Sequence, residues 1–490
     1  MTDRRLLELI FNPNADKPEP KIVPPPTDPM SVARRFVAEH YAGPGGELLL
    51  RHHRNGFYRY VGDHYPEDDG RRVQSELWCW LETATYWKDG KKDAPPELVP
   101  FEPNKYKIAN VLEALKAIGH IAEGVQPPVW IEGDTTTPIS AGEIVPLANG
   151  ILHFSTRELQ SHTPRLFEQH VLPFEYQAGA PAPARWLRFL ADLWDDDEES
   201  KQTLAEWFGY VLSNDTSLQK MFLLVGPKRS GKGTIARVLT GLLGAHNTAA
   251  PTLSGLTQNF GLQPLVGKPL AAISDARLGA RADSMVAVER LLSISGEDTV
   301  TIDRKYRDPW TGRLPTRFMI LTNELPRFSD SSGALASRFV MTILTQSFYE
   351  RENPALTLQL LEESAGIFNW ALEGLDRLRD RGYFLLPDSA REAQRHLEDL
   401  ASPVGAFVRD LCEIRPAFRV DKDDLWAAWK RWSEDEGRDR PGTKAVFARD
   451  LHTTVPSLVS IRPRDGDTRS HAYRGIRLKS PTRIHNRLDP

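Results

Sequence analysis

A nine-residue loop, GPKRSGKGT at positions 226–234, constrains the fold of this chain more than any other feature. Five apolar residues precede it, and apolar residues at helical spacing follow it until Gly244. Glycines at both ends let backbone N–H groups turn inward around an anion, and the start of a helix attracts negative charge. The sequence therefore predicts a buried strand, a phosphate-binding loop and a helix within an α/β fold.

Every residue of this loop is a predicted nucleotide contact. The set comprises Gly226, Pro227, Lys228, Arg229, Ser230, Gly231, Lys232, Gly233 and Thr234. Lys232 is expected to reach the β- and γ-phosphates. Gly233 stands where the common pattern has Ser or Thr, so the hydroxyl expected on Mg²⁺ comes one residue late, at Thr234. Because small nucleotide kinases also carry a GKGT loop, the loop predicts binding of a nucleoside triphosphate and leaves motor function open.

Polar residues end two further predicted strands. Asp275 follows the strand 270–273, where an acid can hold Mg²⁺ through water; a simple polar strand end is the alternative. Asn323 follows the strand 318–322, where an amide can bind the γ-phosphate and the attacking water, although this segment also has good turn chemistry. No second acid adjoins Asp275, so the base that activates water stays open. Glu289 is a weak candidate, and a helix surface charge is an equal alternative.

Arg338 precedes the predicted strand 339–344. In a ring of subunits, an arginine at this place can enter the neighbouring nucleotide site and stabilise charge on the transferring phosphoryl group. An ordinary salt-bridge arginine is the alternative.

A basic segment lies between Asp275 and Asn323. Residues 298–303 alternate as a strand does, and turn-prone pairs follow at 308–309 and 311–312. The basic and aromatic residues of this segment are Arg304, Lys305, Tyr306, Arg307, Trp310 and Arg313. Such a hairpin can grip a phosphate backbone and stack on bases. A charged hairpin that only faces solvent is the alternative.

The carboxy-terminal region is also basic, with 11 Lys or Arg against 4 Asp or Glu over positions 440–490. A helix is predicted over 421–436, a second helix after the capping Thr443, and two strands at 458–462 and 472–478. This order predicts a winged-helix module. The cations expected on DNA are Lys444 and Arg449 on the second helix and Arg462, Arg464, Arg469 and Arg474 on the wing. Contact with another protein is the alternative.

Five segments in order resemble the superfamily 3 helicase core, and more narrowly the phage and plasmid primase–helicases related to the poxvirus primase–helicase. They are EWFGYVLSNDTSLQKMFLLVGPKRSGKGT, LAAISDARL, ERLLSISGEDTVTIDRKY, TRFMILTNELPRF and GALASRFV, and the resemblance runs from about Asn149 to Leu478. It implies ATP and Mg²⁺ as cofactors, with Lys232 and Thr234 as nucleotide ligands and Asp275 as the metal-site acid. It also implies Asn323 as the sensor, Arg338 as an arginine finger acting between subunits, and Arg304 and Lys305 as pore contacts on one DNA strand.

The resemblance further implies a homo-hexamer that translocates 3′ to 5′ on single-stranded or forked DNA, with a separate primase as a further partner. The function expected is an ATP-dependent DNA helicase of phage, prophage or plasmid replication. A nucleotide-controlled origin-binding ATPase without unwinding and a nucleotide kinase remain alternatives. The amino-terminal histidines and acids do not form the clustered two-metal arrangement of a primase.

The fold class expected is α/β: a P-loop NTPase core of the AAA+-like superfamily 3 type, with an α/β amino-terminal region and a carboxy-terminal winged helix. The expected divisions are a disordered proline-rich arm (1–30), an accessory α/β domain (31–180), a helical collar-like segment (181–220), the ATPase core (221–345), a helical segment (346–400), the winged-helix domain (401–480) and a tail (481–490).

Composition narrows the class of protein. The two cysteines, Cys79 and Cys412, are far apart and lack metal-ligand spacing, which is typical of a reducing compartment. No apolar run approaches the roughly 18 residues that a membrane span needs. We expect a protein of the bacterial host cytoplasm with no membrane partner.

Overall fold

The computed structural model of the protein describes residues 21–90, 94–131, 140–213, 215–274, 281–326, 328, 333–437, 441–462, 464, 465, 468, 469 and 471–479. The chain forms two compact units, Met1–Ala178 and Gly179–Pro490. Most of the predicted proline-rich arm and all of the predicted tail lie outside the described residues. Among the residues described, no helix is long and apolar enough to cross a membrane.

The first unit packs three helices on small sheets. Its helices are α1 (Pro29–His40), α2 (Gly70–Glu82) and α3 (Lys105–Ile118). Its strands are β1 (Lys21–Ile22), β2 (Leu50–His53), β3 (Gly56–Arg59), β4 (Glu67–Asp68), β5 (Ala84–Lys88), β6 (Glu97–Pro100), β7 (Val129–Trp130), β8 (Ile144–Leu147), β9 (Gly150–His153), β10 (Leu159–Gln160) and β11 (Leu166–Phe167). Asp28 and Asn104 cap α1 and α3 by accepting hydrogen bonds from first-turn N–H groups. Ile108, Val111 and Leu115 of α3 are buried in the shared core.

The second unit contains most of the regular structure. Its helices are α4 (Ala184–Trp194), α5 (Glu198–Leu212), α6 (Lys232–Leu243), α7 (Leu253–Leu256), α8 (Arg281–Ser295), α9 (Ala334–Ser337), α10 (Leu356–Leu361), α11 (Ser364–Arg381), α12 (Arg391–Ala401), α13 (Pro403–Leu411), α14 (Lys422–Asp435) and α15 (Lys444–Thr454). Its strands are β12 (Met221–Val225), β13 (Thr248–Ala249), β14 (Leu270–Ile273), β15 (Val300–Arg304), β16 (Arg307–Gly312), β17 (Arg317–Thr322), β18 (Phe339–Ile343), β19 (Cys412–Asp421), β20 (Val459–Ile461), β21 (Arg464–Asp465), β22 (Thr468–Arg469) and β23 (Ala472–Leu478).

A five-stranded parallel sheet lies at the centre of this unit, with the strand order β13-β14-β17-β12-β18. Each neighbouring pair is parallel, so all five strands end at one carboxyl edge and begin at one amino edge. The predicted α/β fold with a parallel sheet is therefore confirmed. β17 lies directly beside β12, and β14 lies one strand farther away.

Alternate residues of β12 point to opposite faces of the sheet, and other elements pack on both faces. On one side, Met221 and Leu223 join a core with Leu291 of α8. On the other side, the ring of Phe222 stacks on Trp207 of α5, with ring centroids 5.2 Å apart. All five residues of β12 are buried, so this strand reads as a continuous apolar run.

The hairpin β15–β16 differs from its prediction in two ways. The chain turns at Lys305 and Tyr306, whereas the turn-prone pairs 308–309 and 311–312 lie within β16. Proline is tolerated there because β16 is an edge strand. Trp310, expected among the groups that stack on bases, is buried and belongs to the core beneath the hairpin.

The carboxy-terminal part of the second unit contains α13, α14, α15 and a three-stranded antiparallel sheet with the order β19-β23-β20. Asp421 and Thr443 cap α14 and α15 by accepting hydrogen bonds from the N–H groups of Asp423 and Val446. The strand β19 was not predicted. The sequence did not reveal this strand because half of its residues are exposed and a bulge interrupts its pairing between Ile414 and Arg419.

Candidate nucleotide-binding site

The loop between β12 and α6 has backbone donors that no protein group uses. Gly231 precedes α6 with φ of 88°, a left-handed conformation that glycine adopts without strain. A Cβ atom at Gly226 would lie 2.7 Å from Cβ of Leu344, so the chain can pass there only as glycine. Among the described residues, no acceptor takes a hydrogen bond from the N–H groups of residues 228–233. Such a row of unpaired amides at a helix start fits the oxygens of a phosphate chain.

Lys232 folds back onto the loop. Its Nζ atom donates to the carbonyl oxygens of Gly226 and Pro227, each at 2.7 Å, and to Oγ of Ser230 at 3.2 Å. Burial lowers the pKa of Lys232 from its ordinary value because desolvation disfavours the charged ammonium group, a cost that a facing anion would offset. A phosphate oxygen would provide that anion, and the lysine can exchange its carbonyl acceptors for it.

Thr234, the predicted Mg²⁺ ligand, is already in contact with a residue that the sequence analysis missed. The guanidinium group of Arg237 donates to Oγ1 of Thr234 and, through Nε, to Oγ1 of Thr357 in α10, both at 3.1 Å. A Cβ atom at Gly233 would meet this guanidinium group at 3.1 Å. The glycine that departs from the usual pattern thus makes room for Arg237. The i, i+3 spacing from Thr234 was the available signal.

Segments on two sides support the loop. A Cβ atom at Gly231 would lie 2.9 Å from the side chain of Leu193, which shows that α4 packs directly on the loop. Trp194 at the end of α4 donates its indole N–H to the carbonyl oxygen of Ile343 in β18. After β18, the N–H of Phe348 donates to the carbonyl oxygen of Arg229 at 2.9 Å. The loop is therefore held from outside by packing of α4 and by a backbone hydrogen bond from the segment that follows β18.

Asn323 follows β17 at the carboxyl edge and is exposed. The N–H of Gly226 donates to the carbonyl oxygen of Thr322. The next residue, Asn323, therefore lies beside the start of the loop. Adjacent strands are about 4.8 Å apart, which brings its amide within reach of a bound phosphate. Asp275 lies outside the described residues. Glu289 is exposed on α8, and among the described residues no hydrogen bond or ion pair links it to the loop.

Arg338 lies at the opposite edge of the sheet. It immediately precedes β18, and its carbonyl oxygen accepts from the N–H of Met221 at the start of β12. Its guanidinium group donates to the carbonyl oxygen of Leu292 and to Oγ of Ser295, at 2.7 and 2.8 Å. These acceptors belong to the last turn of α8, where a cation is favoured by the helix dipole. Within one subunit, Arg338 therefore caps α8.

The tip of the hairpin β15–β16 is exposed. Tyr306 has 93% of its surface exposed and a φ of 61°, and Nζ of Lys305 lies 5.3 Å from the centre of its ring. Arg304 donates from Nε to the carbonyl oxygen of Asp308. The exposed aromatic of the hairpin is thus Tyr306, in place of the buried Trp310.

Two of the predicted DNA contacts of the carboxy-terminal part are engaged by acids. Lys444 forms an ion pair with Asp423, and Arg449 pairs with the neighbouring Asp450 at 3.0 Å. Arg462 is exposed after β20. Arg464 and Arg469 lie in the short strands β21 and β22, and their side chains are outside the described part of the structure.

The loop fits the triphosphate of a nucleotide, on the observation that its amides and Lys232 converge with no anionic partner among the residues that the structure describes. Beside phosphates, Mg²⁺ takes few ligands from the protein. Thr234 is the residue that would supply a hydroxyl for it. In the described residues there is no group of three or more His, Cys, Asp or Glu side chains that could hold a metal ion alone.

The parallel sheet and its phosphate loop assign the second unit to the P-loop class of α/β proteins. A family model described as "D5 N terminal like", the amino-terminal domain of the poxvirus D5 primase–helicase type, matches residues 33–195. A second model, described as a family of unknown function (DUF5906), matches residues 224–338. This second match includes the phosphate loop, the hairpin and Arg338.

Solved structures that match the chain include apo forms of the NrS-1 C-terminal region. One has 14% identity and a TM-score of 0.48, and the alignment covers 88% of this chain and 87% of that one. The A form has 11% identity and a TM-score of 0.48, with 91% of this chain and 100% of that one covered.

The match at residues 33–195 confirms, for that part of the chain, the predicted resemblance to primase–helicases of the poxvirus-related type. The motifs that carried this resemblance begin near Asn149. The match at 33–195 extends it over the amino-terminal region, to which the sequence analysis assigned no function.

Proposed function

We propose that the protein is an ATP-dependent DNA helicase of phage, prophage or plasmid replication, which moves along one DNA strand as a ring of subunits. The family relation supports a replication helicase in general terms. Hexameric assembly and 3′ to 5′ movement are carried over from the resemblance as parts of the same proposal.

One observation carries the proposal: the phosphate loop and the predicted finger lie at opposite edges of one sheet. The loop follows the carboxyl end of β12, whereas Arg338 lies at the amino end of β12 and β18. Five residues of strand separate these edges by about 16 Å. Arg338 is therefore poorly placed for its own subunit's nucleotide and well placed for that of a neighbour. A head-to-tail contact of this kind generates a closed ring when the rotation between neighbouring subunits closes on itself.

The same edge links the finger to the hairpin. Arg338 holds the last turn of α8, and the hairpin β15–β16 follows α8 directly in the chain. If Arg338 moves to a neighbour's γ-phosphate, the end of α8 loses its capping cation. Hydrolysis can in this way change the position of the hairpin tip, where Arg304 and Lys305 would hold a DNA backbone.

At the nucleotide, the loop amides and Lys232 would bind the phosphates, and Thr234 and Asp275 would hold Mg²⁺. Bound Mg²⁺ neutralises charge on the β- and γ-phosphates during transfer. Asn323 would orient the attacking water from the strand beside the loop. The base that activates this water stays unassigned, since Glu289 lies exposed on α8.

We propose in addition that the carboxy-terminal part is a winged helix that binds DNA. Helices α14 and α15, followed by β20, the short pair β21–β22 and β23, have the order that this fold requires. Lys444, Arg449, Arg462 and Arg464 are the contacts proposed from the sequence.

The test is an ATPase and unwinding assay on the purified protein. We expect single-stranded DNA to stimulate hydrolysis several-fold and a forked duplex to be separated only with ATP and Mg²⁺. DNA-stimulated hydrolysis without strand separation would favour the origin-binding ATPase. Phosphate transfer to a nucleoside monophosphate, with no response to DNA, would favour the nucleotide kinase.

A further inference from the structure

The outer face of the carboxy-terminal sheet carries an unusual group of arginines. Arg419 of β19 pairs with Arg474 of β23, and Arg474 pairs with Val459 of β20, so one row across the sheet contains two cations. Arg477 follows on β23 opposite Glu413. Arg415 lies in the bulge of β19. We call Arg415, Arg419, Arg474 and Arg477 the arginine face.

The backbone explains why these side chains share one face. Tyr473 and Ile476 are buried in the core with α13, α14 and α15, whereas Arg474 and Arg477 are exposed. Strict alternation would place residues three apart on opposite faces. Gly475 lies between them with φ of 107°, a conformation that shifts the alternation, so both arginines point outward.

Aromatic and acidic contacts hold part of this group in place. The guanidinium group of Arg477 lies 3.7 Å from the centre of the Phe418 ring, and that of Arg415 lies 5.6 Å from it. Arg477 also donates through Nε and one terminal nitrogen to Oε2 of Glu413, at 3.1 and 2.7 Å. Ordered guanidinium groups lose less conformational freedom when they bind a ligand.

The charge balance indicates the kind of ligand. Arg477 of the arginine face forms an ion pair with Glu413 at 2.7 Å, and Lys444 and Arg449 on α15 are each paired with an acid. Among the described residues, no protein group accepts a hydrogen bond from the side chain of Arg415 or Arg474. Guanidinium groups bind phosphate oxygens in a bidentate manner and tolerate stacking on flat rings.

We propose that the arginine face binds the phosphate backbone of DNA, and that it contributes more than α15 to DNA binding by this part of the protein. This inference rests on the proposed function for the identity of the nucleic acid. It assigns DNA contacts to Arg415 and Arg477, which the pattern of the wing alone did not predict.

The experiment measures DNA affinity of the full chain as a function of salt for the variant Arg415→Ala/Arg474→Ala. Loss of two phosphate contacts should weaken binding of a single-stranded oligonucleotide by roughly tenfold or more. It should also make the plot of log affinity against log salt shallower by about 1.4. With double-stranded DNA in place of the oligonucleotide, the same slope should become shallower by about 1.8.

Lys430→Ala/Arg431→Ala is the matched control, since it removes two exposed cations from α14 in the same part of the chain. We expect its affinity and salt slope to stay near those of the wild type. Arg415→Lys/Arg474→Lys should keep the slope while losing part of the affinity, because lysine retains charge without bidentate geometry. Thermal melting establishes that each variant is folded.

An unchanged salt slope in a folded Arg415→Ala/Arg474→Ala variant would overturn the inference, and so would an equal loss in the α14 control. Failure of the proposed function looks different. A wild-type protein that neither unwinds DNA nor hydrolyses ATP would reject the helicase, while a slope change confined to the arginine variant would still support the DNA contact.

Discussion

The two edges of the central sheet differ in whether their hydrogen-bond donors have acceptors within the protein. At the carboxyl edge, the amides of residues 228–233 have no acceptor among the described residues, and Lys232 faces only neutral oxygens. At the amino edge, Arg338 caps α8, and the fully buried Arg317 donates to carbonyl oxygens of Val211 and Ser213 at the end of α5. One edge is ready for an anion. The other edge can act on a ligand only by giving up contacts that it already has.

The largest effect is expected for Lys232→Ala. Removing the one cation that reaches into the loop should lower ATP hydrolysis by about 100-fold or more, because charge on the transferring phosphoryl group loses its stabilisation. Steady-state hydrolysis measures this. Lys430→Ala is the control, since Lys430 is an exposed lysine of α14 and lies outside the loop. Hydrolysis near the wild-type rate in a folded Lys232→Ala protein would show that the loop at the carboxyl edge is not the site of ATP hydrolysis.

Arg338→Ala should affect both turnover and stability. If the finger acts between subunits, hydrolysis falls by about 1,000-fold while nucleotide binding persists. Loss of the cap on α8 should also destabilise the protein by about 1–2 kcal/mol. Hydrolysis, nucleotide binding and chemical denaturation measure the three quantities.

Two controls separate these roles. Ser295→Ala removes one acceptor of Arg338 and should cost stability with little loss of turnover. Mixing Arg338→Ala with Lys232→Ala subunits should restore some hydrolysis at hybrid interfaces. If mixed rings form but stay inactive, Arg338 has only a structural role at the amino edge and does not act on a neighbouring subunit's nucleotide.

Arg304→Ala/Lys305→Ala tests the hairpin that follows α8. Without these cations the tip should lose its hold on a DNA backbone, so unwinding of a fork should fall by about tenfold while basal hydrolysis stays within about twofold. Lys430→Ala/Arg431→Ala provides the same loss of charge at α14. Wild-type unwinding by the hairpin variant would contradict the assignment. Tyr306→Ala tests stacking alone.

The smallest effects are expected at Gly233 and Arg237. The guanidinium group near Thr234 opposes a metal ion by like charge, so Arg237→Ala should lower the Mg²⁺ concentration for half-maximal hydrolysis by about two- to fivefold, screened by salt. Gly233→Ala should displace Arg237 and shift the Mg²⁺ requirement in the same direction. Thr357→Ala, which breaks only the contact with α10, is the control. An unchanged Mg²⁺ requirement in both variants would exclude Arg237 from the site.

Local patterns predicted the parts whose structure depends on neighbouring residues. The strand 221–225, the helix that ends before Gly244 and the cap at Thr443 are all confirmed. The hairpin turn was predicted wrongly because no strong turn residue stands at Lys305 or Tyr306. β19 was missed because an exposed, bulged strand containing proline lacks the alternation of a half-buried one.

The sequence by itself determined that a phosphate loop joins a buried strand to a helix, because nine adjacent residues and their flanks contain everything this requires. Only the tertiary structure decided which cations already have partners within the protein. Arg338 meets Leu292, Arg237 meets Thr357, and Lys444 meets Asp423, partners 46, 120 and 21 positions away in the chain. Whether a charged group is satisfied depends on what folding brings within about 3 Å of it, and spacing along the chain does not record that.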